Sequence, residues 1–323
     1  MYNYTFIIPH KNIPLLLKRC LDSIPHRPDI EIIVIDDNSN EESIKGLKKL
    51  SRENFRIIYT TENKGAGFAR NIGIKEAKGL WVLFADADDL FFPNLLEKID
   101  PYKDLKQKLV LFKSCCRDSN NLTQVGQRQS ICNSISCKIE DFKNKKINHI
   151  ELLLGAGVPW AKMVRLDFLK EQSIYFEEVQ YSNDVGWITQ MSIKTNQHDI
   201  AVSNEVIYCW TDREDSLYYT RNKEAFLCRF NVRYRQHLLL TRNNIPSLFN
   251  FCNFVDVAKE FGSLFLIQFY KSILQGNYNI PPVYRIEKKA HLKIPYFYLV
   301  VQLIKTICNS FRGRTPPKKE INF

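Results

Sequence analysis

Residues 80–89 read LWVLFADADD, an apolar run followed almost at once by three aspartates. The run has the length and composition of a buried strand. The carboxylates of Asp86, Asp88 and Asp89 repel one another, and burying them is costly unless a cation or hydrogen-bond donors compensate. Oxygen ligands of this kind suit Mg²⁺ or Mn²⁺, which can bridge two phosphate oxygens. The stretch therefore indicates either a metal site at a strand end or an acidic turn before the next helix.

The flanking sequence repeats the pattern of an apolar strand followed by polar residues and a helix. Further strands are predicted at residues 4–9, 30–36, 55–60 and 108–113, and helices at 14–24, 41–50, 67–77 and 93–99. We expect Ser39 to cap the second helix and Pro93 to occupy the first turn of the fourth. Continuous apolar strands alternating with helices predict an α/β fold with a mostly parallel sheet covered on both faces. Ligands bind such sheets beyond the carboxyl ends of the strands.

Two more segments carry polar residues to that predicted edge. Residues 36–39 read DDNS after the second strand, where a carboxylate can accept a hydrogen bond from a nucleotide base or ribose, or cap a helix. Residues 63–71 read NKGAGFARN, a glycine-relaxed turn that opens a helix. The backbone N–H groups of this turn and the guanidinium of Arg70 can face an anion.

The order of these motifs resembles the pattern of glycosyltransferase family 2. The resemblance rests on FIIP at residues 6–9, VIDDNS at 34–39, NKG with ARN within 63–71, and FADADD at 84–89. Three later segments extend it: WAKMVR at 160–165, FE with SNDV within 176–185, and YCW with an arginine and a serine within 208–216. The resemblance therefore covers residues 4 to about 217, two thirds of the chain.

The resemblance implies a GT-A fold and assigns a role to each matching position. The implied catalytic base is Asp184; the donor-binding residues are Pro9, Asp37, Asn63, Gly65, Arg70 and Asp86; the metal ligands are Asp88 and Asp86, with Asp88 as the direct ligand; the acceptor-binding residues are Trp160, Glu177 and Glu178. Within these roles, Asp37 reads the base of the donor beside Pro9, and Arg70 lies near its phosphates. The sequence departs from the pattern at Asn183, where glutamate is frequent, and so lacks a charge beside the base.

The implied function is inverting, metal-assisted transfer from a nucleoside-diphosphate donor, expected to be a UDP-sugar. The expected acceptor is a hydroxyl of a saccharide or a lipid-linked saccharide in surface-polysaccharide synthesis. The departing diphosphate gains negative charge that Mn²⁺ or Mg²⁺ can neutralise. The acceptor hydroxyl needs a carboxylate to take its proton. A single base opposite the leaving group gives inversion without a second carboxylate nucleophile.

Length and charge indicate how the remaining chain is organised. We expect a catalytic domain over residues 1–217, with a donor half (1–113) and an acceptor half (114–217) in which 114–150 form a loop or small excursion, and a helical region over 218–323. The net charge is +11, and residues 281–323 hold nine lysines and arginines against two glutamates. Beside the apolar run 294–311, this charge predicts contact with an anionic membrane surface. The alternative is a helix packed on the catalytic domain. We expect a cytoplasmic protein, which the first reading would place at the inner face of the cytoplasmic membrane.

Other classes of protein fit the sequence less well. A nicotinamide-dependent oxidoreductase needs Gly-x-Gly-x-x-Gly after its first strand, whereas GAGFAR at residues 65–70 follows the third. A nucleic-acid-binding α/β protein without transferase activity would carry basic and aromatic residues across its ordered domain, not mainly in a tail. We therefore expect no nucleic-acid partner. Nine cysteines without a Cys-x-x-Cys pair predict reduced thiols, and the N-terminus lacks the features of a signal peptide.

Overall fold

The computed structural model describes residues 2–247, 249, 254 and 257–272. The chain divides into two compact units, Met1–Phe249 and Asn250–Phe323. The basic tail at 281–323 lies outside the described residues, so its predicted membrane contact stays a prediction. The predicted domain division after residue 217 also stays a prediction, although the long helix that follows it lies in the first unit.

An eight-stranded sheet forms the centre of the first unit. Its strands are β1 (Tyr4–His10), β2 (Ile30–Asp36), β3 (Phe55–Tyr59), β4 (Trp81–Phe84), β5 (Leu90–Phe91), β6 (Leu109–Asp118), β7 (Lys162–Arg165) and β8 (Ile200–Asp212). The spatial order is β3-β2-β1-β4-β7-β6-β8-β5. Strands β3, β2, β1 and β4 are parallel, β7 runs antiparallel to β4 and β6, and β6 pairs in parallel with β8. The predicted α/β class is confirmed, with a mixed sheet.

The described helices cover the sheet and continue towards the C-terminus. They are α1 (Pro14–Asp22), α2 (Glu41–Leu47), α3 (Ala66–Glu76), α4 (Leu95–Ile99), α5 (Gln129–Lys143), α6 (His149–Gly155), α7 (Leu166–Glu171), α8 (Asp184–Lys194), α9 (Lys223–Arg242) and α10 (Ser263–Ser272). Every residue of β1, β2 and β4 is buried, as their mostly apolar sequences predict when both faces are covered. The predicted helical C-terminal region is confirmed in the described residues by α9 and α10.

The prediction of a loop over residues 114–150 is wrong. Strand β6 continues to Asp118, and α5 occupies the middle of the segment. Helix α5 buries Cys132, Ile135, Ile139 and Phe142, which recur at helical spacing on one face. Serine, asparagine and lysine side chains fill its other faces, and their polarity concealed the periodicity.

The predicted starts of the second and fourth helices are also wrong. Asn40 caps α2, because its side chain accepts a hydrogen bond from the Ser43 backbone N–H. Ser39 instead donates to the Asp36 carboxylate at 2.6 Å. Helix α4 begins at Leu95, after Asn94 in a left-handed conformation with φ 60°, so Pro93 precedes the helix. An asparagine precedes the helix in both places: Asn40 caps α2 with its side chain, and Asn94 forms the left-handed turn before α4.

No helix in the described part of the chain is long and apolar enough to cross a membrane. The described cysteines are all free thiols. Cys115 and Cys209 face each other across the ladder between β6 and β8.

Candidate active site

Parallel register places the carboxyl ends of β1, β2 and β4 side by side. His10 at the end of β1 lies opposite Asp36 at the end of β2, and Ile7 of β1 lies opposite Phe84, the last residue of β4. The aspartates that follow β2 and β4 therefore meet at one edge of the sheet. Helix α3 begins at Ala66, just after the turn that follows β3.

Asp37 holds the turn that opens α3. Its two carboxylate oxygens accept hydrogen bonds from the backbone N–H groups of Lys64 at 3.1 Å and Gly65 at 2.8 Å. Gly65 has φ 89°, a conformation that a residue with a Cβ rarely adopts. Asp37 is buried, so the structure gives it a scaffold role; its predicted contact with a nucleotide base stays a prediction.

Two other predicted donor residues lie beside this turn. Pro9 is a buried residue of β1, next to the strand end. The side chain of Asn63 accepts a hydrogen bond from Lys11, and its backbone carbonyl accepts one from Gln180 at 3.2 Å. The turn is thus tied to β1 on one side and to the segment before α8 on the other.

A buried pair between Asp36 and His10 was missed by the sequence analysis. Nδ1 of His10 lies 2.7 Å from Asp36, and Nε2 accepts a hydrogen bond from the Ile13 backbone N–H at 3.1 Å. These contacts place the proton of the ring on Nδ1. Burial favours the neutral acid, but hydrogen bonds from His10 and Ser39 outweigh it and lower the pKa of Asp36. The apolar sequences of β1 and β2 predict two strands, but they do not show which residues at the strand ends form a pair.

The three aspartates after β4 have different partners. Asp88 accepts a hydrogen bond from Nε of Arg213 at 2.6 Å. Asp89 accepts from the hydroxyl of Tyr208 and from the backbone N–H of Thr211, each at 2.7 Å. These bonds fasten the segment between β4 and β5, residues 85–89 and here called the acidic loop, to β8. Burial, and then the charge of Asp86, raise the pKa of Asp88. Burial also raises the pKa of Asp89, with the neighbouring aspartates adding to the effect.

Arg70 connects the acidic loop to the start of α8. Its buried guanidinium donates to Asp86 at 2.5 Å and to the side chain of Asn183 at 2.8 Å. It also lies 5.2 Å from the ring centre of Phe176. The sequence analysis places Arg70 near the donor phosphates, and that contact stays a prediction. The structure adds a second role, because Asn183 immediately precedes the predicted base.

Asp184 is the first residue of α8 and keeps part of its side chain exposed. Burial raises the pKa of its carboxyl above the ordinary value, and the positive charges of Arg70 and Arg233 oppose the rise. A carboxylate with a raised pKa holds a proton more readily, which suits a general base. Its helix position fixes the carboxylate beside the acidic loop.

The predicted acceptor-binding residues divide into buried and exposed groups. Trp160 is buried and stacks on Tyr208, with ring centres 5.1 Å apart, so it forms part of the wall behind the acidic loop. Glu177 accepts a hydrogen bond from Nε of Arg235 at 3.0 Å. Glu178 lies near Asn71, whose amide nitrogen is 3.4 Å from the carboxylate. Whether these residues contact an acceptor stays a prediction.

Lys162 is a buried lysine close to the predicted base Asp184, and the sequence analysis did not assign it to the site. Its ammonium donates to the backbone carbonyl of Val158 at 2.6 Å. Burial lowers the pKa of Lys162 to about 7, and the charge of Asp184 opposes the shift. The motif WAKMVR contains this lysine, so a signal for it was present in the sequence.

The residues of the acidic loop fit a metal site that substrate phosphates complete. The described residues contain no group of three or more His, Cys, Asp or Glu side chains placed to hold a metal ion. Asp86 and Asp88 supply two carboxylates, and the side chain of Asp86 is 33% exposed. Magnesium in enzymes is commonly held by one or two carboxylates together with substrate phosphates. The donor set therefore fits Mg²⁺ or Mn²⁺ only with a phosphate ligand present.

Comparisons with known proteins agree with this geometry. The sequence profile of Glycosyl transferase family 2 matches residues 5–155. Glycosyltransferase GlyA of Streptococcus pneumoniae is 37% identical over 98 residues, which cover 29% of this chain and 14% of GlyA. The uncharacterized glycosyltransferase EpsJ of Bacillus subtilis is 21% identical over 217 residues, covering 66% of this chain and 62% of EpsJ. The chain thus spans less than two thirds of the length of these relatives.

Solved structures show the same fold. The crystal structure of residues 1–349 of S. aureus TarS in complex with UDP-GlcNAc has a TM-score of 0.57 and 20% identity, covering 81% of this chain and 71% of that one. The curated sequence of TarS from Staphylococcus aureus is a poly(ribitol-phosphate) beta-N-acetylglucosaminyltransferase, 23% identical over 221 residues, covering 66% of this chain and 36% of TarS. The matches give no support to the nucleic-acid-binding alternative. Together, the motif order, the GT-A fold and the profile match show that residues 5–155 of this chain form a glycosyltransferase family 2 domain.

Proposed function

We propose that this protein is an inverting glycosyltransferase that moves a sugar from a UDP-sugar to a hydroxyl of a saccharide or lipid-linked saccharide acceptor. The product would be part of a cell-surface polysaccharide. Family membership supports sugar transfer, and the UDP-GlcNAc complex of the structural neighbour TarS supports a UDP-sugar donor. We also propose that the protein acts at the inner face of the cytoplasmic membrane. The support for this location is the positive charge of residues 281–323.

One observation carries the proposal. Asp184 begins α8 directly after Asn183, and Arg70 joins Asn183 to Asp86 in the acidic loop. The candidate base and the candidate diphosphate site are therefore linked by a single buried side chain. Because proton removal and departure of the leaving group belong to one displacement, the two groups must keep a fixed separation.

The residues of the chain would divide the work as follows. Asp184 accepts the proton of the acceptor hydroxyl as its oxygen attacks the anomeric carbon from the face opposite the diphosphate. Arg70 and Arg213 hold the carboxylates of Asp86 and Asp88 and limit their repulsion. A divalent cation held by these carboxylates would neutralise the charge that develops on the departing diphosphate. The turn fixed by Asp37 offers backbone N–H groups at the start of α3.

Calorimetry with UDP tests both the donor and the metal. We expect UDP to bind the wild-type protein, and Mn²⁺ to tighten the binding by about tenfold or more, equivalent to about 1.4 kcal/mol. The variant Asp88→Asn should fold normally and lose most of this metal effect, together with most release of UDP from UDP-sugars. Asp22→Asn is the matched control, because Asp22 is exposed on α1 and pairs with Lys18.

The possible results separate the two parts of the proposal. If the wild-type protein does not bind UDP with or without Mn²⁺, the UDP-sugar donor is wrong. If UDP binds equally well with Mn²⁺ and with a chelator, and Asp88→Asn keeps full activity, the metal assignment is wrong and the donor assignment stands.

A further inference from the structure

Helix α9 presents three arginines within two turns, and their partners differ. Arg235 donates to the carboxylate of Glu177 from Nε at 3.0 Å. Arg229 and Arg233 are one helical turn apart, at positions that share a face of the helix. Neither has a carboxylate within ion-pair distance in the part of the chain that the structure describes. Two of the three guanidinium charges are therefore not neutralised by a protein carboxylate.

The hydrogen bonds of these two arginines go to neutral groups. Arg229 donates to the backbone carbonyls of Thr220 at 2.8 Å and Leu217 at 3.2 Å, and lies 5.1 Å from the ring centre of Tyr181. Arg233 donates to the side-chain oxygen of Gln236 at 3.0 Å. Burial lowers the pKa of both guanidiniums, but an arginine stays protonated in proteins. Arg229 is half-buried and Arg233 is exposed. A guanidinium without a carboxylate partner is stabilised when an anionic group hydrogen-bonds to it.

The pair lies beside the segment that leads to the candidate base. Gln236, which accepts from Arg233, donates to the hydroxyl of Thr189 on α8 at 2.9 Å. Cys228 contacts the backbone carbonyl of Tyr181, three residues before Asp184. The charge of Arg233 is felt at Asp184 and the charge of Asp184 at Arg233. Helix α9 therefore places two positive charges next to the proposed reaction centre.

We propose that Arg229 and Arg233 form a binding site for a phosphate group of a substrate. Guanidinium groups match phosphate oxygens with two parallel hydrogen bonds, and two arginines on one helix face can share one phosphate. The phosphate can belong to the diphosphate of the donor or to a phosphodiester of the acceptor. This inference rests on the proposed function, because the site would place the phosphate beside the base that function requires.

The test compares charged and neutral probes on three variants of the full chain. The charged probes are UDP and a short oligomer of ribitol phosphate, and the neutral probes are uridine and ribitol. We expect Arg229→Gln and Arg233→Gln each to bind at least one charged probe about ten- to a hundredfold more weakly than wild type, as for loss of a charge-assisted hydrogen bond. Arg242→Gln is the matched control, because Arg242 is an exposed arginine in the last turn of α9. Thermal unfolding of each variant checks that it folds.

Each outcome bears on the site. Weaker binding of UDP alone assigns the phosphate to the donor, and weaker binding of the oligomer assigns it to the acceptor. The proposal is overturned if both variants bind both charged probes as tightly as Arg242→Gln does, or if the wild-type protein binds neither. A wild-type protein that binds the oligomer through these arginines but does not bind UDP would support the site and contradict the proposed donor.

Discussion

The aspartates at the end of β2 and those at the proposed reaction centre are the same residue type in opposite situations. Asp37 accepts from backbone N–H groups, and Asp36 pairs with His10 and Ser39. At the reaction centre, the partners of Asp86 and Asp88 are the long side chains of Arg70 and Arg213. The pKa of Asp36 is lowered, whereas burial raises the pKa of Asp184.

This difference in hydrogen-bond partners indicates which acids of a motif can take part in a reaction. Backbone donors are fixed by the turn they belong to, so a ligand can replace them only if the turn changes. An arginine side chain can rotate, so a phosphate or a cation can compete for its carboxylate partner. We therefore infer that the acids after β2 build the site, together with Asp89, which also accepts from a backbone N–H. The acids that act in the site are then Asp86, Asp88 and Asp184.

The largest effect is expected for Asp184→Asn. If Asp184 is the base, kcat should fall by about 10² or more, which is the usual contribution of a general base. The dissociation constant of UDP should change by less than about twofold, because the base contacts the acceptor and not the nucleotide. Steady-state kinetics and calorimetry measure the two quantities. Asp22→Asn is the control for loss of a carboxylate charge outside the site, because Asp22 is exposed on α1. Near-normal turnover of Asp184→Asn would move the role to Glu177 or Glu178.

A smaller effect on stability should separate Asp37 from Asp86. The free energy of unfolding should fall by about 1–3 kcal/mol in Asp37→Asn, because one buried backbone N–H loses its acceptor. It should fall by less than about 1 kcal/mol in Asp86→Asn, because this partly exposed side chain can be hydrated. Urea unfolding gives both values. If Asp37→Asn keeps its stability but binds UDP much more weakly, the carboxylate reads the nucleotide and the comparison fails.

The smallest effect is expected from a lowering of pH. Over a range of acidic pH, the protein should lose activity while it stays folded. The raised pKa of Asp184 means that the base becomes protonated, and activity falls, at a pH above the ordinary aspartate value of about 3.9. The lowered pKa of Asp36 acts in the opposite direction: its contribution to stability is complete above that value and is lost only as pH falls below it. Activity should return fully after a jump to pH 7. Simultaneous loss of activity and circular dichroism would contradict this.

Sequence reasoning succeeded where local pattern and burial act together. The second strand was predicted at residues 30–36 and β2 spans Ile30–Asp36, because a strand covered on both faces is mostly apolar. It failed for α5, in which polar residues outnumber the buried ones. It also failed for the starts of α2 and α4, where asparagines stand in place of the expected serine and proline. Helix-sized segments of mixed polarity carry a weaker signal than buried strands.

The sequence by itself determined the family, the α/β alternation and the set of acidic residues at one edge of the sheet, because these follow from residues close together in the chain. Only the tertiary structure decided the partner of each acid. Arg213 reaches Asp88 across 125 positions, and Arg70 reaches Asn183 across 113. These contacts depend on the insertion of β7 between β4 and β6 and on the parallel pairing of β6 with β8. A one-dimensional pattern does not specify which side chains a strand order brings together, and those contacts are what distinguish the acids held by backbone donors from the acids held by arginine side chains.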